Sequence, residues 1–151
     1  MKISLISIGP RRGRKKREGE DVLVTEYLRR AGRYCEITGA WVESEADFWE
    51  AMDVAPGRVR GKVILMDGGG RLLTSEEFAQ VMGGYRDGAA QHVVVGIGGA
   101  DGWTAGSKAR ADVVVSMGRL TLPHSLARVV AAEQIYRAMT ILAGHPYHCG
   151  H

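Results

Sequence analysis

The stretch KVILMDGGGRLLTSEEFAQVMGGYRDGAAQHVVVGIGG, residues 62–99, decides the fold. It opens on Lys62 to Asp67, an apolar run that predicts a strand leading into Gly68-Gly69-Gly70. It closes on His92 to Ile97, a second such run, ended by Gly98 and Gly99. Between them Thr74 and Glu77 stand at capping-box spacing, where each side chain bonds the other's backbone N–H at a helix start. That spacing predicts a helix reaching about Tyr85.

The alternation continues in both directions. Upstream, Lys2 to Ile8 reads as a strand stopped by Gly9-Pro10, and Glu18 to Arg33 as an amphipathic helix carrying Val22, Leu23, Tyr27 and Leu28 at helical spacing. A strand around Tyr34 to Val42, a helix from about Glu45 to Met52 and a Pro56-Gly57 break follow. Downstream, Asp112 to Met117 is a fifth strand, ended by Gly118. A helix from about Ser125 to Leu142 presents Leu126, Val129, Val130, Ile135, Met139 and Leu142 before Gly144 and Pro146 stop it. Strands alternating with helices predict an α/β protein, a mostly parallel sheet flanked by helices, in one domain spanning residues 1–151.

Composition agrees with that reading and narrows the setting. The 151 residues are 45% hydrophobic and 25% charged, enough for a core that needs no disulfide or structural metal. The apolar runs are short and the amino terminus has no signal-peptide pattern, so neither membrane spanning nor secretion is expected. Cys35 and Cys149 read as reduced thiols of a cytoplasmic protein. Six of the 20 cations fall in one tract, Arg11, Arg12, Arg14, Lys15, Lys16 and Arg17; without them the chain holds 14 cations against 17 anions. The tract reads either as a solvated loop or as a phosphate-binding patch, for which nucleic acid is the foremost partner.

In open parallel sheets, ligands sit beyond the carboxyl ends of the strands. Here those ends carry glycine, which more often serves a tight strand-to-helix connection but also lets a flat ligand approach the backbone. No G-x-G-x-x-G opens a helix after the first strand and no P-loop occurs, which disfavours dinucleotide and P-loop chemistry. His145, His148, Cys149 and His151 crowd the tail, but a tail without a second cluster does not supply a zinc tetrahedron, and no metal is expected. Glu133 and Arg137 are spaced for an ordinary helix ion pair, and His124 follows a proline at a helix start.

Four ordered segments carry a resemblance: Ile97-Gly98-Gly99-Ala100-Asp101-Gly102, Leu120-Thr121-Leu122-Pro123-His124, Ala132-Glu133-Gln134-Ile135-Tyr136-Arg137-Ala138 and His145-Pro146-Tyr147-His148. With the opening strand, Glu26-Tyr27-Leu28-Arg29-Arg30 and Met66-Asp67, the whole chain resembles the ribosomal RNA large-subunit methyltransferase H family. The resemblance implies a SPOUT-class α/β-knot enzyme that transfers a methyl from S-adenosylmethionine to N3 of a pseudouridine in 23S rRNA, within the assembled ribosome, as a homodimer. It also implies a carboxyl-terminal trefoil knot within roughly residues 60–145, an expectation that stands on the resemblance alone because threaded chains are rare.

By the same resemblance the adenosine wall is Met66, Gly98 and Gly99 together with Gly118, Arg119, Leu120, Thr121, Leu122 and Pro123. The residues implied at the chemistry are His124, Glu133, Arg137, Tyr147 and His148. His124 or His148 would handle the proton, Arg137 and Tyr147 would orient the base or its phosphate, and Glu133 would hold Arg137. The Arg11 to Arg17 tract would contact RNA. The chain departs from the family pattern at Ala100, where proline is usual, and at Cys149-Gly150-His151, where a basic residue usually follows Tyr-His. Two other readings are a SPOUT enzyme for a different RNA such as tRNA, and an RNA-binding protein that keeps the cofactor fold without turnover.

Overall fold

Apolar, β-branched runs make the strands, and the punctuation between them makes the helices. The computed structural model describes residues 1–9, 18–53 and 59–149. In chain order the elements are β1 (Lys2–Ile8), α1 (Glu18–Ala31), β2 (Glu36–Val42), α2 (Glu45–Met52), β3 (Lys62–Leu72) and α3 (Ser75–Asp87), then β4 (His92–Ile97), α4 (Ala105–Arg110), β5 (Val113–Ser116) and α5 (His124–Leu142). A single turn of 3₁₀ helix, Pro146–His148, closes the described chain. The strands lie in the order β2-β1-β4-β3-β5 and every neighbouring pair is parallel.

A parallel sheet is covered on both faces, so its strands are apolar nearly throughout. Ile3, Leu5, Ile64, Met66, Val93 and Val95 pack on one side with Val24, Phe78, Met82, Ala131 and Ile135 from α1, α3 and α5. Ile6, Ile8, Val63, Leu65 and Val94 pack on the other with Phe48, Trp49 and Met52 of α2 and with Trp103, just ahead of α4. The α3 capping box forms as its spacing predicts, with Thr74 and Glu77 bonded reciprocally. Ser44 caps α2 in the simpler way, accepting from the Asp47 N–H.

Four features differ from the sequence reading. Gly68-Gly69-Gly70 does not end β3. Met66 and Arg71 both pair with Val115, so the intervening residues form an excursion after which the strand resumes to Leu72. A Cβ on Gly70 would lie 2.7 Å from Val115 backbone atoms, so only glycine lets β3 return against β5. The second difference is α4, whose six residues are too few for a visible period. Third, Val22 and Leu23 are exposed, 65% and 47%, while α1 turns Val24 and Ala31 inward. Fourth, Leu126 is exposed, whereas α5 buries the small residues Ala131, Ala132 and Ala138 between α1 and α3, because close helix contact selects short side chains as well as long ones.

Candidate active site

Five parallel strands bring their carboxyl ends to one edge, and a cavity of about 650 Å³ opens there. Met66 from β3 and Gly98 and Gly99 after β4 line one side. The loop from Gly118 through Arg119, Leu120, Thr121 and Leu122 to Pro123 lines the other. The structure therefore gathers every residue expected in the adenosine wall. Gly118 sits at φ +123°, a conformation L side chains rarely adopt, and Ser116 ties its turn: the hydroxyl accepts from the Gly118 N–H and donates to the Gly118 carbonyl. Beneath, the Trp103 indole N–H donates to the Met66 carbonyl at 3.1 Å and fixes the floor.

Asp67, absent from the expected set, also lines the cavity. Burial pushes its carboxyl upward, but the Gly69 and Trp103 N–H groups and the Lys108 ammonium outweigh that and hold it below the ordinary carboxylate value. The cavity lies within the usual size of small-molecule sites, and its walls offer main-chain donors and acceptors, apolar surface and one carboxylate. That donor set suits a nucleoside with a charged amino-acid tail. His124, in the first turn of α5, completes the rim and packs its ring on Trp41 at 5.6 Å between centroids.

Glu133, Arg137, Tyr147 and His148 assemble elsewhere. Glu133 and Arg137 follow His124 by roughly 14 and 20 Å along the helix axis at the usual rise per residue. Glu133 Oε1 accepts from Arg137 Nε at 3.0 Å, from Arg137 Nη2 at 2.7 Å and from the Tyr147 hydroxyl at 3.0 Å. Its second oxygen accepts from Gln134, which in turn accepts from Ser75 of α3. Arg137 Nη1 lies 2.9 Å from His148 Nδ1, and His148 Nε2 lies 2.8 Å from Glu76 Oε1. A guanidinium only donates, so Nδ1 accepts and Nε2 carries the hydrogen shared with Glu76. Both His148 nitrogens are thus engaged.

This lattice sets the charge states. The hydrogen bond from His148 holds Glu76 at about 2. Burial, then the hydrogen bond to the Glu133 carboxylate, pushes Tyr147 up to about 12, so its hydroxyl is a donor. Hydrogen bonding to Glu133 raises Arg137 above its ordinary value. Within one chain, then, the structure joins His124 to the cavity and ties the other four candidates together at the far part of α5. Glu76 and Gln134 were missed by sequence reading. Glu76 lies 72 residues from His148, and only the packing of α3 on α5 brings the two together.

The tract Arg11, Arg12, Arg14, Lys15, Lys16 and Arg17 lies outside the described residues, as does His151. Among the described residues no group of three or more His, Cys, Asp or Glu is arranged to hold a metal ion. Among them, too, no helix is long and apolar enough to cross a membrane.

A family model described as "Predicted SPOUT methyltransferase" matches residues 1–148. A protein of Koribacter versatilis named ribosomal RNA large subunit methyltransferase H is 42% identical over 151 residues, covering all of both chains. One of the same name from Rhizobium etli is 37% identical over 98% of this chain and 99% of its own. Among solved structures, a probable methylase family protein from Haemophilus influenzae superposes with a TM-score of 0.57 over 97% of this chain and 69% of its own, at 13% identity, a likeness of fold.

Proposed function

The chain belongs to the SPOUT methyltransferase family, and from that premise we propose that it methylates N3 of a pseudouridine in 23S rRNA, on the assembled ribosome, using S-adenosylmethionine. The observation that carries this reading is the cavity at the strand ends, whose wall is the backbone of Gly118 to Pro123 facing Met66, Gly98 and Gly99. Main-chain groups at such a wall can recognise an adenine without particular side chains. Bound there, the cofactor supplies a methyl group already activated by its sulfonium.

What remains for the protein is to align the acceptor nitrogen and remove its proton. His124 stands at the cavity and takes that role, an imidazole nitrogen accepting the N3 proton. His148, with one nitrogen on Arg137 and the other on Glu76, acts instead as a brace. Arg137 and Tyr147 offer donors that orient the base or its phosphate, and Glu133 holds them both. Tyr147 stays neutral at cellular pH and so donates without competing for the proton.

The distance along α5 between His124 and Arg137 supports a homodimer, in which the lattice of one subunit meets the cavity of the other. The reading further includes a single cytoplasmic domain, a trefoil knot in its carboxyl-terminal part, no metal, and RNA contact by the Arg11 to Arg17 tract. Mass spectrometry of 23S rRNA from cells lacking the protein tests it: one N3-methylpseudouridine should vanish and return on restoration. Methyl transfer to tRNA but not to ribosomes would assign a different RNA, and cofactor binding without transfer would make the chain a binder.

A further inference from the structure

Past α5 the chain turns at Gly144, φ +67°, and the 3₁₀ turn Pro146–His148 packs against that helix, so side chains rather than a continuing helix fix its place. Ties from α5 include Glu133 to the Tyr147 hydroxyl, the Tyr136 ring 4.6 Å from the Tyr147 ring, and Arg137 to His148. From α3 comes Glu76, the second residue of that helix, which accepts from His148 Nε2 at 2.8 Å. Glu76 is not needed to start the helix, because Thr74 and Glu77 make the capping box. Its side chain is 52% exposed, and an ion pair so open to solvent adds little stability. The worth of the contact therefore lies in what it does to the imidazole.

We propose that Glu76 is a positioning residue for the methyl transfer: it holds the His148 hydrogen on Nε2, which leaves Nδ1 as the acceptor that fixes Arg137. The inference rests on the reading of Arg137 and Tyr147 as the groups that orient the acceptor base. In a neutral imidazole one nitrogen donates and the other accepts, and the partner of one sets the role of the other. Arg137 can only donate, and its Nη1 lies 2.9 Å from Nδ1. With the hydrogen on Nδ1 instead, His148 would turn a donor toward that donor. The guanidinium would lose one of its holds, and the turn carrying Tyr147 would lose a link to α3. Ser75, just ahead of Glu76, braces the other end: its hydroxyl donates to Gln134 Oε1 at 2.8 Å, and Gln134 Nε2 donates to Glu133 Oε2 at 2.7 Å. Two adjacent side chains at the start of α3 thus steady both ends of the lattice, Glu133 and His148, with Arg137 between them.

Glu76→Ala should lower kcat on ribosomes by roughly ten- to a hundredfold, the cost of a misaligned reacting pair. KM should stay within about threefold and S-adenosylmethionine affinity by calorimetry within about twofold, because Glu76 does not line the strand-end cavity. Glu76→Gln, whose amide oxygen still accepts from Nε2, should recover most of the kcat, and Glu76→Lys, which offers only donors, should not. Independently of turnover, two-bond nitrogen–proton correlation spectra, with His148→Gln identifying the signal, should show the wild-type His148 hydrogen on Nε2, and the Nδ1–H form should appear in Glu76→Ala. A wild-type His148 with its hydrogen on Nδ1 or on both nitrogens, or an active wild type whose Glu76→Ala variant keeps its kcat, overturns the proposal. A wild type that shows the Nε2–H form but never methylates ribosomes leaves the hold of Glu76 on His148 standing and removes the rRNA reading instead. If Glu76→Ala fails to fold, the wild-type spectrum and the contrast between Glu76→Gln and Glu76→Lys decide.

Discussion

Around the strand-end cavity the chain works through its backbone: Gly98, Gly99 and Gly118 bring main chain only, and Leu120 in the same wall is 86% exposed. Around Arg137 it works through side chains, with one glutamate joined to an arginine and a tyrosine, and one histidine joined to the arginine and a second glutamate. The first arrangement depends on where the chain runs, the second on what it carries. A backbone site should therefore fail when a carbon is added and ignore most deletions. A side-chain lattice should fail when a single group is deleted and respond to pH.

The sharpest way to break that contrast is Gly70→Ala. The added carbon meets main chain of β5, which cannot give way, so the β3–β5 pairing beside the cavity must open. Unfolding free energy should fall by at least ~3 kcal/mol in denaturant titration, and S-adenosylmethionine affinity should drop with it. A variant as stable as the wild type would show that β3 can return by another path.

Glu133→Ala tests the other region. Arg137 is left with two donors and Tyr147 with one whose acceptor is gone, a loss of about 1–3 kcal/mol per group for groups that are mostly buried. Turnover on ribosomes should collapse while cofactor affinity stays within about twofold. Parallel loss of both would join the two regions into one cooperative unit.

The lattice should also define a pH window. Glu76 is held ionised in the fold at about 2, so its contribution is complete above the ordinary carboxylate value of 4.5 and is lost as pH falls toward 2. Tyr147 is held neutral up to about 12, so its contribution is complete below 10 and is lost as pH rises through about 12. Absorbance titration of the tyrosines should find one group at that upper value, and Glu133→Ala should bring it down. The smallest effect belongs to Leu120→Ala. Stability should change by less than about 0.5 kcal/mol, with cofactor affinity nearly unchanged, and a large loss would mean that this wall reads the ligand through side chains after all.

The helix α2 was legible at about its observed bounds, and the structure supplies the reason, a Ser44 cap ahead of the buried Phe48 and Trp49. The edge at which the strands end was legible too, because parallel order alone decides which edge those ends share; that the residues there form an adenosine wall was implied only by the resemblance. Gly68-Gly69-Gly70 misled for a physical reason: glycine punctuates a strand, but it also permits close approach, and nothing local distinguishes the two uses. Glu76 was hidden because its meaning depends on a partner supplied by tertiary packing. The place of Glu133 and Arg137 as an i,i+4 pair was readable, and so was their distance from His124 along one helix, but not that the cavity lies at the amino-terminal end of α5, which tertiary packing decides.

The excursion in β3 has one more implication. Because the ladder leaves Val115 and comes back to Val115, the residues from Asp67 to Gly70 are not counted by the sheet. Lengthening or shortening that overhang would reshape the rim of the cavity while every strand kept its neighbour and its phase. The fold therefore contains a point where the grip on a small molecule can drift in evolution without renegotiating the architecture.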